Sequence, residues 1–264
     1  MGAHSVFGPS SAMKWLNCPG SIQAETGIPD TTSEFAKLGT DAHELAEICL
    51  KNKRTARSFI GKTPLTNKEQ IIDQEMADYV KEFVDFVRNL GGEQEYEQEV
   101  TYYDWIPGGF GTADVIIVKG DTLYVIDLKY GKGVKVDAEN NPQGMLYALG
   151  ALAERFFQKF TKVVIVIHQP RLDHVSEWET TPEELYEFAI EAKAAYEATL
   201  EDNPKRIPGE KQCQWCRAKA TCPALQTQTE HALMVQFDDL TTTPLKEAAE
   251  LTDQDLSFIL NHQN

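Results

Sequence analysis

The sequence predicts a mixed α/β fold in which helices flank a β-sheet, and three observations carry that reading. Two long amphipathic helical patterns come first, three short apolar runs separated by glycine turns follow, and further runs then alternate with helical segments. At 264 residues, 42% of them hydrophobic and 25% charged, the chain has material for one good core, or one core with a small appendage.

The stretch up to about Asp30 reads as loop-rich, because Pro9, Pro19, Gly20, Gly27 and Pro29 interrupt any long helix. A first helix is expected from Glu34 to Leu50, where Phe35, Leu38, Ala42, Leu45 and Cys49 recur at helical spacing. A second is expected from Lys68 to Leu90, with Ile72, Tyr79, Phe83, Val87 and Leu90 on one stripe and Gly91-Gly92 stopping it. Strands are expected at Glu97 to Tyr103, Gly111 to Val118 and Leu123 to Lys129, joined by tight turns at Gly108-Gly109 and Gly120-Asp121 into an antiparallel meander. Asn141 to Phe157 reads as a helix, Lys162 to His168 as a strand and His174 to Thr180 as another. Thr181-Pro182-Glu183-Glu184 then opens a last helix with Thr at the cap and Pro in the first turn. A cysteine-bearing segment, Cys213 to Cys222, and an acidic tail from about Glu230 complete the chain, with no internal repeat.

The most informative placement is Asp127-Leu128-Lys129 at the end of the run Leu123-Tyr124-Val125-Ile126. Side chains alternate faces along a strand, so Asp127 and Lys129 emerge together while Leu128 points the other way. The neighbouring run Val115-Ile116-Ile117-Val118 is entered through Gly111-Thr112-Ala113-Asp114, so a hairpin brings a second carboxylate to the same point. Two carboxylates and a lysine are what metal-dependent phosphodiester cleavage requires: oxygen ligands for Mg²⁺ or Mn²⁺, and a cation beside the attacking water. Glu99 on the preceding strand is a candidate further ligand, and the glycine turn before Asp114 would let a backbone or a DNA strand approach closely. Gln143 and Tyr147 lie one helical turn apart, an amide and a phenol able to hold a phosphate or base edge. His43 sits at the edge of the first helix's apolar stripe, where packing is the ordinary role of a histidine and completion of a Mn²⁺ shell the functional one.

Cys213-Gln214-Trp215-Cys216 followed by Cys222-Pro223 gives three thiols in a compact loop, and Cys18-Pro19-Gly20 offers a fourth. Four thiolates suit zinc or an iron–sulfur cluster. Three close ligands with one distant partner, and proline after two of them, lean toward iron–sulfur. Cys49, on the apolar stripe, reads as a small buried residue. Gly61-Lys62-Thr63 mimics the end of a phosphate-binding loop, but Ala56 replaces the leading glycine and Pro64 blocks the following helix, so ATP binding is not expected.

The net charge of −16 argues against a broad basic surface that coats nucleic acid, but not against a local basic channel. Basic stretches occur at Lys51-Asn52-Lys53-Arg54-Thr55-Ala56-Arg57, best read as a solvated face, and at Lys129, Lys132 and Lys135 beside the candidate site. The longest apolar run, Val163-Val164-Ile165-Val166-Ile167, is far short of a membrane span. With no signal peptide visible, a soluble, cytoplasmic protein without membrane partners is expected, its cysteines serving metal rather than disulfides.

Assembled, these residues resemble the PD-(D/E)XK nuclease superfamily in its RecB-like branch, and within it the iron–sulfur exonucleases: CRISPR-associated RecB-like exonucleases, AddB-type nuclease domains and phage relatives. His43 is similar to the branch's N-terminal histidine, Gly111-Thr112-Ala113-Asp114 to its G-x-x-D, Asp127-Leu128-Lys129 to its (D/E)-x-K, and Gln143 with Tyr147 to its Q-x-x-x-Y. Cys18 with Cys213, Cys216 and Cys222 is similar to the split cluster ligands. The resemblance implies a restriction-endonuclease-like sheet over residues 1–229, with a [4Fe–4S] cluster joining N- and C-terminal segments and 230–264 as an acidic tail. It also implies Mg²⁺ or Mn²⁺ on Asp114, Asp127, His43 and the Leu128 carbonyl, with Lys129 on the water and Gln143 and Tyr147 on the DNA. The function expected is a metal-dependent DNA exonuclease acting on single-stranded or frayed ends. Alternatives are a non-catalytic DNA-end or partner-binding module, and zinc at the four cysteines; protein partners or a second copy stay open.

Overall fold

The computed structural model describes residues 5–29 and 34–236. The chain divides into two compact units, one formed by Met1–Ala12 with Thr31–Ala194 and the other by Met13–Asp30 with Ala195–Asn264.

The first unit is a mixed α/β fold built on a five-stranded sheet in the order β1-β2-β3-β4-β5. Strands β1 (Glu93–Thr101), β2 (Phe110–Lys119) and β3 (Thr122–Leu128) form the expected antiparallel meander. Its hairpins turn through Gly108 and Gly120 at φ of 78° and 64°, angles that glycine adopts without steric cost. Strand β4 (Lys162–Gln169) lies parallel to β3, and β5 (His174–Thr180) runs antiparallel to β4, so the sheet is mixed. The parallel step needs a crossover, which α5 (Pro142–Glu154) supplies. Asn141 caps α5 by accepting from the amides of Gln143 and Gly144 at 3.1 and 3.2 Å. A side chain at Gly144 would come within 2.4 Å of Ile165 and one at Gly150 within 2.8 Å of Val100, so these two glycines let α5 lie close against the sheet.

The other face is covered by α3 (Glu34–Lys51) and α4 (Gln74–Leu90). Ala42, Leu45, Ala46 and Cys49 from α3 join Met76, Val80, Phe83, Val84 and Val87 from α4 over Val115, Ile117, Ile126 and Leu128 of the sheet. Burial pushes the Cys49 thiol up to about 11, as expected of a thiol that only packs. The side chain of Phe35, assigned to the α3 stripe by its spacing, lies outside the described residues. α4 begins six residues later than its apolar spacing suggests, because Asp73 caps it by accepting from the Met76 amide at 2.7 Å. α6 (Pro182–Thr199) opens on the expected cap, a reciprocal pair in which the Glu184 amide donates to Thr181 Oγ1 and the Thr181 amide to Glu184 Oε2. Residues 56–59 form a 3-10 helix, so no strand precedes Gly61-Lys62-Thr63. Of the basic stretch from Lys51, Lys51 pairs with Glu47, Arg57 with Asp78, and Arg54 covers the Phe59 ring.

In the second unit the segment expected to be loop contains two short helices, α1 (Ala12–Asn17, whose first residue belongs to the first unit) and α2 (Ser21–Glu25), parted by Pro19-Gly20. The unit also contains α7 (Glu210–Gln214) and α8 (Pro223–Gln236). α8 carries helix into the first residues of the tail; the rest of the tail, 237–264, lies outside the described residues. No described helix is long and apolar enough to cross a membrane.

Candidate functional site

The antiparallel β2–β3 pair and the parallel β3–β4 pair bring the start of β2 and the ends of β3 and β4 to one edge of the sheet, and the N-terminus of α5 returns to the same edge. Asp114 from β2 and Asp127 from β3 meet there. Asp114 Oδ2 accepts the Leu128 amide at 2.6 Å and lies 3.2 Å from His43 Nε2. Lys129 Nζ lies 2.9 Å from Asp127 Oδ2 and donates to Gln143 Oε1 at 2.7 Å, while Leu128 is fully buried on the opposite side, as strand alternation requires. Gln143 Nε2 donates to Asp127 Oδ1 at 2.8 Å and reaches the Tyr147 hydroxyl at 3.4 Å. The His43–Asp114 pair and the Asp127–Lys129–Gln143–Tyr147 network therefore converge on one sheet edge. Leu128 joins the pair through its amide.

The two carboxylates are not equivalent. Burial disfavours the charge on Asp114, but the His43 charge and hydrogen bonds from His43 and the Leu128 amide outweigh it and hold its pKa below the usual range. For Asp127, burial and the neighbouring Asp114 charge prevail over Lys129, and its pKa is raised. Burial also opposes the charge on His43, yet Asp114, the Gly39 carbonyl and Asp127 push its imidazole up to about 10. His43 Nδ1 donates to the Gly39 carbonyl at 2.7 Å, which fixes the ring and leaves Nε2 facing Asp114. Asp127 Oδ2 is buried with the Lys129 ammonium 2.9 Å away.

The glutamate of β1 that stands beside Asp114 is Glu97, not Glu99. Glu99 pairs across from Thr112 and is exposed. Glu97 instead lines a small cavity with His43, Asp114 and Leu128. Its φ of 49° is left-handed, and burial, then the Asp114 charge, raise its carboxyl to about 7. The signal available was register, because β1 begins at Glu93 and not at Glu97. Gly111 also plays a different part from the one its turn suggested. An added Cβ would meet Pro9 at 2.6 Å and Tyr147 at 3.1 Å, so the open position is filled by this chain's own side chains. Gln169 was missed altogether: fully enclosed at the end of β4, it accepts from the Val136 amide at 2.7 Å and donates to the Val134 carbonyl at 3.0 Å, anchoring the loop after Lys129. Lys132 in that loop pairs with Glu75 at 2.8 Å.

The cysteines outside the core are all in the second unit, and its own contacts gather them. The Gly20 amide donates to the Lys205 carbonyl at 2.9 Å, and an added Cβ at Gly20 would strike the Pro204 carbonyl at 2.6 Å, so the chain around Cys18 lies tight against 204–206. The Ile207 amide donates to Cys18 Sγ at 3.2 Å and the Gly209 amide to Cys213 Sγ at 3.4 Å. Burial raises the Cys18 thiol, the Ile207 amide opposes, and the charges of Cys213 and Cys222 raise it further. Burial likewise raises Cys216, with Cys213 among the smaller contributors. Glu25, nearly fully buried, ties the two pieces of the unit together: it receives Lys14 Nζ at 2.7 and 2.6 Å and the Arg217 amide at 2.8 Å. Among the described residues, no group of three or more His, Cys, Asp or Glu side chains is placed so that it could hold a metal ion.

A cleft lined by Gly92, Glu93, Val118, Lys119, Gly120, Gln158 and Lys159 lies at the other end of β2 and β3 and contains none of these residues. Among solved structures, one described as "Crystal structure of SSO0001" is similar at 15% identity and a TM-score of 0.38, over 85% of this chain and 89% of that one. A family model described as "Protein of unknown function (DUF2800)" matches residues 4–264, and the chain belongs to that family.

Proposed function

We propose that this protein is a metal-dependent DNA nuclease of the PD-(D/E)XK type, in the RecB-like iron–sulfur branch, acting on single-stranded or frayed ends. The observation that carries the proposal is the convergence on one sheet edge of the His43–Asp114 pair, bonded to the Leu128 amide, and the Asp127–Lys129–Gln143–Tyr147 network.

The donor set fits a divalent cation. Asp127 keeps a raised pKa through burial and the neighbouring Asp114 charge, a condition that a cation beside both carboxylates relieves. Asp114 and Asp127 would hold the ion with the Leu128 carbonyl. His43 joins them through Nε2 on losing its proton, with Nδ1 already committed to Gly39 as second partners of metal-bound histidines are. Mg²⁺ or Mn²⁺ there supplies charge for the scissile phosphate and lowers the pKa of the attacking water. Lys129, held between Asp127 and Gln143, orients that water and offsets developing negative charge. Gln143 and Tyr147 hold the strand through amide and phenol hydrogen bonds.

The four thiols of the second unit fit a [4Fe–4S] cluster joining N- and C-terminal segments, because Cys18 and Cys213 already accept backbone N–H groups, which thiolates accept better than thiols. A colourless protein holding stoichiometric zinc after anaerobic purification would decide for zinc instead.

Asp127→Asn and Lys129→Met should each reduce Mn²⁺-dependent degradation of labelled single-stranded DNA on the order of 10²-fold or more. Circular dichroism should be unchanged. Undiminished cleavage by both variants sinks the assignment.

A further inference from the structure

The chain's net charge is −16, yet residues 203–229, bordered by Glu201, Asp202 and Glu230, carry five cations, Lys205, Arg206, Lys211, Arg217 and Lys219, against the single acid Glu210. In an acidic protein a segment of local charge +4 is a marked reversal. The ion pairs of the second unit among the described residues are Lys14–Glu25 and Arg217–Glu25. Among those residues Lys205, Arg206, Lys211 and Lys219 are left without a carboxylate partner, and Lys205 and Lys211 are exposed. At the end of α7, among these cations, stands Trp215, 79% exposed and stacked on no other described ring. A tryptophan in that position loses solvation free energy in water and gains nothing from the fold.

Unpaired cations flanking an exposed indole are the two components of a sequence-tolerant single-strand site: the cations follow the phosphates and the ring stacks on a base. We propose that the exposed Lys205–Lys219 segment, which carries Trp215 between Lys211 and Lys219, binds single-stranded nucleic acid. The cations attract any polyanion, but an acidic peptide or a base-free polymer has no face for the indole, which is why a nucleic acid is favoured. The inference rests on the nuclease reading only for taking the strand to be DNA. The surface is separate from the residues assigned to cleavage, so the two can fail independently.

The test is a titration of the full chain, purified anaerobically, with an oligothymidine of about twenty nucleotides in EDTA, read by tryptophan fluorescence and by anisotropy of the labelled oligonucleotide. Trp215→Ala should weaken binding about ten-fold, and Trp215→Phe should restore most of it, because a phenyl ring also stacks. The double variant Lys205→Glu/Lys211→Glu should lower the slope of log K against log salt by about 0.7 for each phosphate that is no longer neutralised. Folding of each variant is checked by its circular dichroism and retained metal. The proposal is overturned if wild type does not bind, if Trp215→Ala binds as wild type does, or if polyphosphate or polyglutamate binds as tightly and quenches equally. Wild-type cleavage with Mn²⁺, measured in parallel, separates the outcomes. Cleavage with Trp215-independent binding removes this inference and leaves the nuclease reading, and Trp215-dependent binding without cleavage does the reverse.

Discussion

The two units of this chain are held together by different physics. In the first, α3, α4 and α5 cover a sheet whose strands β2, β3 and β4 carry long runs of fully buried aliphatic residues, among them Ile116, Ile117, Leu123, Ile126 and Ile165. In the second, the buried apolar side chains among the described residues are Trp15, Pro204 and Ala218. What fixes that unit is polar: the Lys14–Glu25–Arg217 network, amide bonds to Cys18 and Cys213, and the close seat of Gly20 against Pro204. A unit with so small a core resembles the mini-domains that depend on a metal or disulfides. The difference teaches where to expect resilience, in the first unit from burial and in the second from its polar network and from the metal proposed at its four thiols.

The largest expected effect breaks the comparison if it fails. Cys213→Ser or Cys216→Ser should strip bound metal and expose 195–236 to protease, while the sheet of the first unit stays resistant. Limited proteolysis followed by mass spectrometry reads both at once. Simultaneous loss of both units, or survival of the second, would show that ligation does not divide them.

Within the first unit, burial has a cost that pH reveals. His168 at the end of β4 is 2% exposed, lies between Phe83 and Phe86 with ring centroids 5.5 and 5.0 Å away, and has no hydrogen bond at Nδ1. Burial alone lowers its pKa from 6.5 to about 4. The unfolded chain therefore binds a proton that the folded chain refuses, and stability falls as pH drops from 6.5 toward 4, reaching a loss of about 3 kcal/mol. Urea unfolding at pH 7 and pH 4.5 should show His168→Phe sparing that part of the acid loss. Equal acid losses in variant and wild type would rule it out.

Next in size is the polar clasp of the second unit. Burial opposes the charge on Glu25, but Lys14 and the Arg217 amide overcome it and lower its pKa. Glu25→Gln removes charge-assisted bonds and should cost about 2 kcal/mol. In thermal unfolding the loss should appear in the second unit's transition, and be larger after the metal is removed. No change in either form would leave the thiols as that unit's sole fastening.

The sequence made legible what local rules decide. Glycine turns and apolar alternation marked the meander, and the period of two put Asp127 and Lys129 together. Helical spacing joined Gln143 to Tyr147, which their 3.4 Å contact reflects. What stayed hidden depends on partners far along the chain. Glu97 rather than Glu99 lines the cavity beside Asp114 because of the β1–β2 register, and apolar spacing alone did not reveal the Asp73 cap that delays α4. Gln169 anchors a loop more than thirty residues away in sequence, a role no neighbouring residue announces.

Gly111 tests how finely the first unit's burial sets the candidate site. Pro9 sits where its Cβ would be, at 2.6 Å, and Tyr147 Cε1 at 3.1 Å. Gly111→Ala should therefore displace one or both rings, at about 1–2 kcal/mol, a cost typical of overpacking. The proline is the less free to move, since it opens a 3-10 turn and is itself buried. The shift should then fall mainly on Tyr147 and reach Gln143 through their hydrogen bond, with the β2–β3 register kept. Nuclear magnetic resonance of the Gln143 side-chain amide reads that displacement directly, and a modest loss of thermal stability should accompany it. An unshifted Gln143 amide with full loss of stability would mean that Gly111 serves packing alone and that Gln143 and Tyr147 are set by α5 alone.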